Sequence, residues 1–501
     1  MSPRCAALLV AALLVTAGGC GNGRLSGPSD GDGGPGGAGP DANPAELPPG
    51  LHGAYFRKHG QLAAERVDAT VQFVWNQDEP AAEVGADHFS VRWTGYLELE
   101  AGGSYTFATV ADDGVRLWVD DQLVLDDWSF HPALRVEGSA ELTAGFVPIR
   151  LEYFDAGSHA EIALSWLPPG AAAEEVIPQD SLRALATGGD APKPPYINPV
   201  VPFDCPDPGV VRLKGGDGFA MVCTGGAFPV RRSDDLVLWE DTGAAILPGG
   251  KPAWAANGFR NWAPEIHRVG GGYVAYFTSV NGADVLSVGA AAAGDPFGTW
   301  TDRGGPLVEA SLGVIDASHF ADKDGRQYLL YKIDGNSQGQ PTPIYLRELA
   351  ADGLSFAAGS QPVELIRNDG SSWEGGVVEA PWLVLRGGTY YLFYSGNVYD
   401  HRYRTGVARS AALTGPYEKH GAPILGNNER WVGPGHGSVV AIGGTDYFVY
   451  HAWTATPGGS NDGTFGRQVL VDRIVWEADG WPRIHDGSPS RTLEPWPAAS
   501  Q

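Results

Sequence analysis

The chain is 501 residues long, room for roughly two to four domains, and its 43% hydrophobic and 10% aromatic content supplies sizeable cores. Its formal charge of −25 repels phosphate backbones and argues against a nucleic-acid partner. Glycine (71) and proline (38) are abundant while long amphipathic helical periodicity is scarce, so the chain reads as all-β.

Residues 1–20 have the pattern of an export signal. Arg4 supplies positive charge, Ala6 to Ala17 form an apolar run too short to span a bilayer, and Ala17-Gly18-Gly19 lead into Cys20. Small residues directly before a cysteine resemble a bacterial lipoprotein processing box, with Ala17 standing where leucine is usual. That resemblance implies lipidation of Cys20 and a protein exported to a membrane or cell surface, contacting the membrane only through its anchor. Plain cleavage and secretion is the other reading. Residues 21–49, rich in Gly, Pro, Asp and Ser, read as a disordered tether.

Residues 50–185 form one compositional unit. Alternating strands such as Phe89-Ser90-Val91-Arg92-Trp93 and Tyr105 to Val110 lead to Asp112-Asp113-Gly114, then to a hairpin through Val119-Asp120-Asp121-Gln122. These residues resemble a PA14 domain, a β-sandwich module. The resemblance implies a carbohydrate-binding or spacer role, and calcium held by Asp112 and Asp113, since hard cations favour clustered carboxylates. A plain turn at Asp112-Asp113-Gly114 is the alternative. Residues 186–195 are a Gly- and Pro-containing linker.

From residue 196 to 501 one pattern returns five times: a polar residue, a short apolar strand, a Gly-containing turn, an aromatic strand. Asp207 leads to Phe219-Ala220-Met221-Val222, Glu265 to Tyr273 to Phe277, and Asp316 to Tyr328-Leu329-Leu330-Tyr331. Glu379 leads to Tyr390 to Tyr394, and His436 to Tyr447-Phe448-Val449-Tyr450. Each unit has room for about four strands, the signature of a β-propeller of five blades. Residues preceding each inner strand converge at one mouth of the central channel, so these five predict one site. Cys205 and Cys223 lie eighteen positions apart. An exported chain meets oxidising conditions, and a hairpin turn at Lys214 to Asp217 would set the two opposite each other; a disulfide and two buried free thiols both remain open.

Clustered carboxylates push one another's pKa values apart, leaving one as an acid and another as a base, which is what glycoside hydrolysis requires. Trp254, Trp262, Trp373, Trp382 and Trp431 offer faces for sugar rings near the same openings. Glu374, five residues before Glu379, reads as a rim residue near the substrate.

Asp204-Cys205-Pro206-Asp207-Pro208, Asn261-Trp262-Ala263-Pro264-Glu265, Val314-Ile315-Asp316, Val378-Glu379-Ala380-Pro381, Gly433 to Ser438 and Asp479 to Pro482 together resemble glycoside hydrolase family 43. The resemblance implies an inverting glycosidase with its two working carboxyl groups roughly 6.5–9.5 Å apart. Asp207 would be the general base, Glu379 the general acid, and Asp316 would orient the acid and raise its pKa. Glu265, Trp254, Trp262, Trp373 and Arg467 would contact substrate. His436 matches an axial position that helps hold a structural calcium ion in many members, although Gly437 replaces the polar residue usual after it. Glu-Ala-Pro at the acid is a mild change from Glu-Gly-Pro, and Cys205 beside the base is unusual. No cofactor is required for the chemistry, and a monomer is expected. The substrate class implied is arabinose- or xylose-containing plant cell-wall polysaccharide, with α-L-arabinofuranosidase or arabinanase activity leading and β-xylosidase as competitor. A non-catalytic surface carbohydrate binder is the alternative from another class. A retaining fructan-processing enzyme is disfavoured, because Ile315-Asp316-Ala317 and Glu379-Ala380 replace that group's Arg-Asp-Pro and Glu-Cys.

Overall fold

A computed structural model of the chain describes residues 43–57, 61–186, 195–216, 218–492 and 494–497. The export signal with Cys20, most of the tether and most of the linker lie outside the described residues.

Two antiparallel sheets build the first unit. One runs in space through Gln61–Asp68, Leu51–Arg57, Ser90–Leu99, Gly145–Phe154, Val115–Val119 and Gln122–Asp127, with Leu182–Ala184 added to Ser90–Leu99. The other runs through Glu175–Val176, Ala160–Leu167, Gly103–Asp112 and Leu134–Leu142, with Gln72–Asn76 on Ala160–Leu167. Strict alternation drives the packing: in Ala160–Leu167 every second residue (Ala160, Ile162, Leu164, Trp166) is buried. With Phe107 of the adjacent strand they meet Trp93, Leu117 and Leu151 of the facing sheet in one core, giving a β-sandwich.

The Asp112 and Asp113 side chains are engaged by backbone N–H groups. Asp113 accepts the backbone N–H of His131 on one oxygen (3.1 Å) and that of Ala156 on the other (2.7 Å), and Asp112 accepts that of Ala133 (3.2 Å). Both Asp113 oxygens thus clamp loops. Among the described residues no group of three or more His, Cys, Asp or Glu side chains is arranged to hold a metal ion.

Five four-stranded antiparallel sheets follow, spanning 209–245, 255–302, 314–366, 378–419 and 431–484, each joined strand to next strand in order. The first strand of every sheet touches the first strand of its neighbours, and the fifth touches the first. That closed ring is a five-bladed β-propeller with the first strands around the axis. The chain ahead of blade one seals it: Val201 bridges Val469 of blade five, and buried Asn198 bonds the backbone of Val471 in both directions (3.0 Å each). Aromatic second strands pack between blades, as Tyr390, Leu392 and Tyr394 do against Tyr328 and Leu330. Cys205 and Cys223 form a disulfide with Cα atoms 5.2 Å apart, tying the lead-in of blade one to the end of its second strand.

Candidate active site

The inner strands break register where they reach the channel mouth. Breaks fall between Trp262 and Glu265, Ile315 and Ser318, Glu379 and Trp382, and Gly435 and Ser438. A left-handed residue stands at each: Ala263 (φ 44°), Asp316 (56°), Ala380 (54°) and His436 (45°), and Asp207 (55°) adopts the same conformation ahead of blade one. Such conformations cost a non-glycine residue ~1–3 kcal/mol and re-aim the side chains around them. The repeat register read from the sequence is refined accordingly. Asp207, Asp316 and His436 are equivalent, whereas Glu379 comes one residue before its blade's bulge residue and Glu265 two after. The bulges nonetheless bring all five side chains together: Asp207, Glu265, Asp316 and His436 are buried, Glu379 is partly buried, and Asp316 feels the charges of Asp207, Glu379 and His436 while raising Glu265.

Asp207 is fixed from every side. Its Oδ1 accepts from Arg467 Nη1 (2.8 Å) and lies 3.3 Å from Nδ1 of both His436 and His451; its Oδ2 accepts the Thr224 hydroxyl (2.6 Å). Burial alone would raise its pKa, but Arg467 and His436 hold it well below the carboxylate range. Burial drives His451 down to about 4, so it is neutral, and its Nδ1 accepts the backbone N–H of Asp207 (3.1 Å).

The opposite side of the pocket behaves differently. Glu379 accepts from Lys332 Nζ on one oxygen (2.8 Å) and from the Tyr403 hydroxyl on the other (2.8 Å). Lys332 is fully buried and also bonds Asp334 (2.9 Å). Burial pushes the Glu379 carboxyl up, yet Lys332 and Tyr403 outweigh it and leave the group below its ordinary value. Asp316 accepts the backbone N–H of Ala380 (3.0 Å); burial and the nearby Glu379 push it up to about 7. Lys332 and Tyr403 thus oppose the expected raising of Glu379, and the Asp316 and Glu379 carboxyls titrate as a pair. Glu265 is buried with Oε2 accepting no hydrogen bond, 3.6 Å from His267 Nε2, and burial, then Asp316 and Asp207, raise it well above the carboxylate range.

Lys332, Tyr403, His451, Thr224 and Ser395 were missed in the sequence. Four of them share a legible feature. A polar residue follows the aromatic run of four second strands: register sets Lys332 opposite Ile315, Ser395, whose hydroxyl accepts the His436 N–H (2.8 Å), opposite Glu379, and His451 opposite Gly435, while Thr224 lies two residues past Val222, which pairs with Gly209. Tyr403 arrives on the loop after Thr389–Gly396, and a Cβ on Gly435 would stand 2.6 Å from its ring, so glycine there admits it.

Among the aromatic candidates, Trp262 is half-buried at the mouth, between Asn261 and the bulge at Ala263. Trp254 and Trp373 are corrected to packing residues. Trp254 stacks on Phe277 (6.4 Å between centroids), bonds Asp302 (3.3 Å) and covers Gly289; Trp373 stacks on Tyr394 (5.9 Å) over Gly396 and Gly406. Trp382 packs between His267 and the blade-five cluster, and Trp431 is buried in that cluster. Glu374 is corrected from rim to interior: it is 1% exposed and accepts from Tyr394 (2.7 Å), Lys419 (2.7 Å) and the Asp369 N–H (2.8 Å). Arg467 reaches the pocket through Asp207. His436 would meet a calcium ion without two further His, Cys, Asp or Glu ligands beside it, since no such trio is arranged for metal among the described residues; the remaining positions would fall to water.

A pocket holding one ionised carboxylate opposite a carboxyl pair that retains a proton near neutrality can deprotonate water on one side and protonate a leaving oxygen on the other. The sequence profile of glycosyl hydrolases family 43 matches residues 196–482, and that of the PA14 domain matches residues 47–180. The chain is 26% identical over 323 residues to an extracellular exo-α-(1→5)-L-arabinofuranosidase of Cellvibrio japonicus, covering 56% of this chain and 87% of that one. It is 28% identical over 306 residues to a probable arabinan endo-1,5-α-L-arabinosidase of Aspergillus clavatus, covering 56% and 91%. Among solved structures, a thermostable family-43 glycoside hydrolase aligns with a TM-score of 0.53 at 30% identity, covering 60% of this chain and 99% of that one.

Proposed function

We propose, for a chain that belongs to glycosyl hydrolase family 43 and carries a PA14 domain, that it hydrolyses α-L-arabinofuranosyl linkages of plant cell-wall polysaccharide with inversion of configuration. The observation that carries this reading is the charge asymmetry of the pocket: Asp207 held ionised by Arg467 and His436, facing an Asp316–Glu379 pair that keeps a proton up to about pH 7.

Asp207 takes a proton from water as the water oxygen bonds to the anomeric carbon. The bond from that carbon to the leaving oxygen breaks, and Glu379 delivers its proton to that oxygen. Lys332 and Tyr403 are then in place to stabilise the new Glu379 carboxylate. Asp316, through the Ala380 N–H, orients the acid and is the second site of the shared proton. Arg467 keeps the base charged and stands where it can bond a sugar hydroxyl; Trp262 offers the half-buried ring beside the pocket.

The relatives named above support arabinose as the sugar. A panel of aryl α-L-arabinofuranoside, aryl β-D-xyloside and linear arabinan tests it. Arabinofuranoside cleavage is expected, with kcat lowered at least a thousandfold by Asp207→Ala or Glu379→Ala, and proton NMR of the first-formed sugar is expected to show the inverted anomer. Xyloside cleavage alone would replace the sugar assignment, and silence on every substrate by the folded protein would favour a surface carbohydrate binder. Export is supported by the disulfide and by the extracellular relative. A lipid on Cys20 is the finer proposal: detergent-phase partitioning of the mature protein is expected, and its loss in Cys20→Ala.

A further inference from the structure

Blade one differs from the other four where it reaches the channel mouth. In blades two to five the inner strand goes on pairing with the second strand on the far side of its left-handed residue. Trp262 pairs with Thr278, Ile315 with Lys332, Glu379 with Ser395 and Gly435 with His451. In blade one the ladder stops at Gly209 and Val222, and the left-handed Asp207 lies past its end. Among the described residues, the segment that carries the base therefore lacks the ladder that holds its four counterparts.

Two ties stand in its place. The Thr224 N–H donates to the Pro206 carbonyl (2.8 Å). The Cys205–Cys223 disulfide joins the residue two before Asp207 to the residue directly before Thr224, and both of its cysteines are buried. A covalent bond thus fixes the spacing of the two segments where hydrogen-bonded pairing has ended.

The Thr224 hydroxyl completes the link. An ionised Asp207 can only accept, so the hydroxyl donates to its Oδ2 (2.6 Å) and has lone pairs left for the Ala263 N–H (2.7 Å). Oδ1 is occupied by Arg467 and faces the imidazoles of His436 and His451, whereas Thr224 is the one donor to Oδ2 among the described residues. Oδ2 is thus the oxygen able to take a proton from water, and Thr224 sets its direction. Ala263 is the left-handed residue of blade two, so the same hydroxyl references the base to the next blade.

We infer that the Cys205–Cys223 disulfide and Thr224 form a positioning frame for the catalytic base: the bridge fixes the segment carrying Asp207 against the end of the second strand, and the Thr224 hydroxyl aims Oδ2 at the attacking water. The inference rests on the glycosidase reading above and adds to it that the bridge of blade one serves catalysis as well as stability.

The test uses Thr224→Val, Thr224→Ser and the double variant Cys205→Ser, Cys223→Ser. All are assayed on an aryl α-L-arabinofuranoside at a temperature where calorimetry shows each protein fully folded. The base acts in the chemical step, so Thr224→Val is expected to lower kcat about tenfold or more with KM within about twofold. Thr224→Ser keeps the hydroxyl and is expected to recover most of that loss. The bridge variant is expected to lose kcat in the same way. Each change is then repeated in an Asp207→Ala background, where the frame has nothing left to aim and no further loss is expected. A purely structural role would lower activity by the same factor with or without Asp207, and that outcome overturns the frame. Unchanged kcat in Thr224→Val or in the bridge variant overturns it too. Hydrogen exchange stands apart from turnover: in the bridge variant the amides of residues 203–208 are expected to exchange faster, with the inner strands of blades three and four unchanged. Equal exchange overturns the frame whatever the substrates show. Faster exchange in a protein whose wild type cleaves no glycoside would keep the bridge's hold on this segment and sink the glycosidase reading alone.

Discussion

A buried ammonium beside a general acid decides when that acid holds its proton. Lys332 bonds Glu379 at 2.8 Å in a place water does not reach, so its charge acts in a low-dielectric setting and favours the Glu379 carboxylate. The cost is a smaller fraction of enzyme with the acid protonated at neutral pH; the gain is stabilisation of the carboxylate that appears once the proton leaves. Catalysis needs Asp207 ionised and one proton in the Asp316–Glu379 pair, so kcat/KM falls as pH rises through about 7, where Asp316 titrates. Lys332→Met removes the cation, raises Glu379, and moves that alkaline limb upward by roughly one unit or more, while kcat at the optimum falls. A purely structural lysine would lower activity at all pH values alike, so the position of the limb in a pH–rate profile separates the two.

At the scale of the strand, the site is an accident-proof product of five similar units with one different residue each. A bulge at the mouth of four inner strands, and the left-handed Asp207 ahead of blade one, supplies the turn, and in four blades a polar residue closing the aromatic run supplies a partner. The disulfide belongs to this arrangement. Cys205 sits two residues before Asp207 and donates its N–H to the Arg467 carbonyl (2.8 Å), while Cys223 precedes Thr224, whose hydroxyl bonds Asp207. Replacing both cysteines by serine is expected to lower the unfolding free energy by ~3 kcal/mol, the chain-entropy value for a loop of this size. Urea unfolding of the double variant checks it, as does wild type with and without reductant; coincident curves would show that the bridge is not what holds the lead-in of blade one. The blades, their order and the identity of Asp207, Asp316, Glu379 and His436 were legible in the sequence, because a polar residue before an apolar strand recurs and period-two burial is local. Lys332 and His451 were not, because each looks like the frayed end of an aromatic strand until the register sets it opposite the mouth. The fate of Trp254 and Trp373 was hidden for a similar reason: both rings lie over glycines (Gly289; Gly396 and Gly406) that belong to other strands, and only the folded sheet brings ring and glycine together.

Across the whole molecule, buried ionisable groups oppose one another, and their balance sets how stability changes with pH. Asp316 in the propeller and Asp155 in the sandwich are both pushed up to about 7, chiefly by burial, Asp472 is pushed up to about 6, and Glu265 lies well above its ordinary value. A group whose folded pKa is raised stabilises fully below its unfolded pKa and loses that contribution as pH rises through the folded one. Burial sends three histidines the other way: His319 and His451 fall to about 4 and His267 falls well below its ordinary value. Their contribution is present above about pH 6.5 and lost as pH falls toward 4. Between about pH 4.5 and 6.5 the native state therefore holds extra protons on the acids while the unfolded state holds extra protons on the histidines, and the slopes offset. Above about pH 6.5 the histidines no longer differ, and each acid still protonated only in the native state costs about 1.4 kcal/mol per pH unit as pH rises. The melting midpoint should thus be nearly level from pH 5 to 6.5 and fall between pH 6.5 and 8. Asp155 tests the attribution away from the catalytic pocket. It is 2% exposed with Oδ1 unpartnered, beside Asp113, and its Oδ2 accepts the His88 N–H (3.2 Å). Asp155→Asn keeps that acceptor, offers an N–H toward Asp113 and cannot ionise, so calorimetry of this variant is expected to show a shallower fall above pH 6.5 than wild type. An equally steep fall would place the titrating groups elsewhere, and a rise in stability over that interval would contradict the burial of uncompensated carboxyl groups altogether.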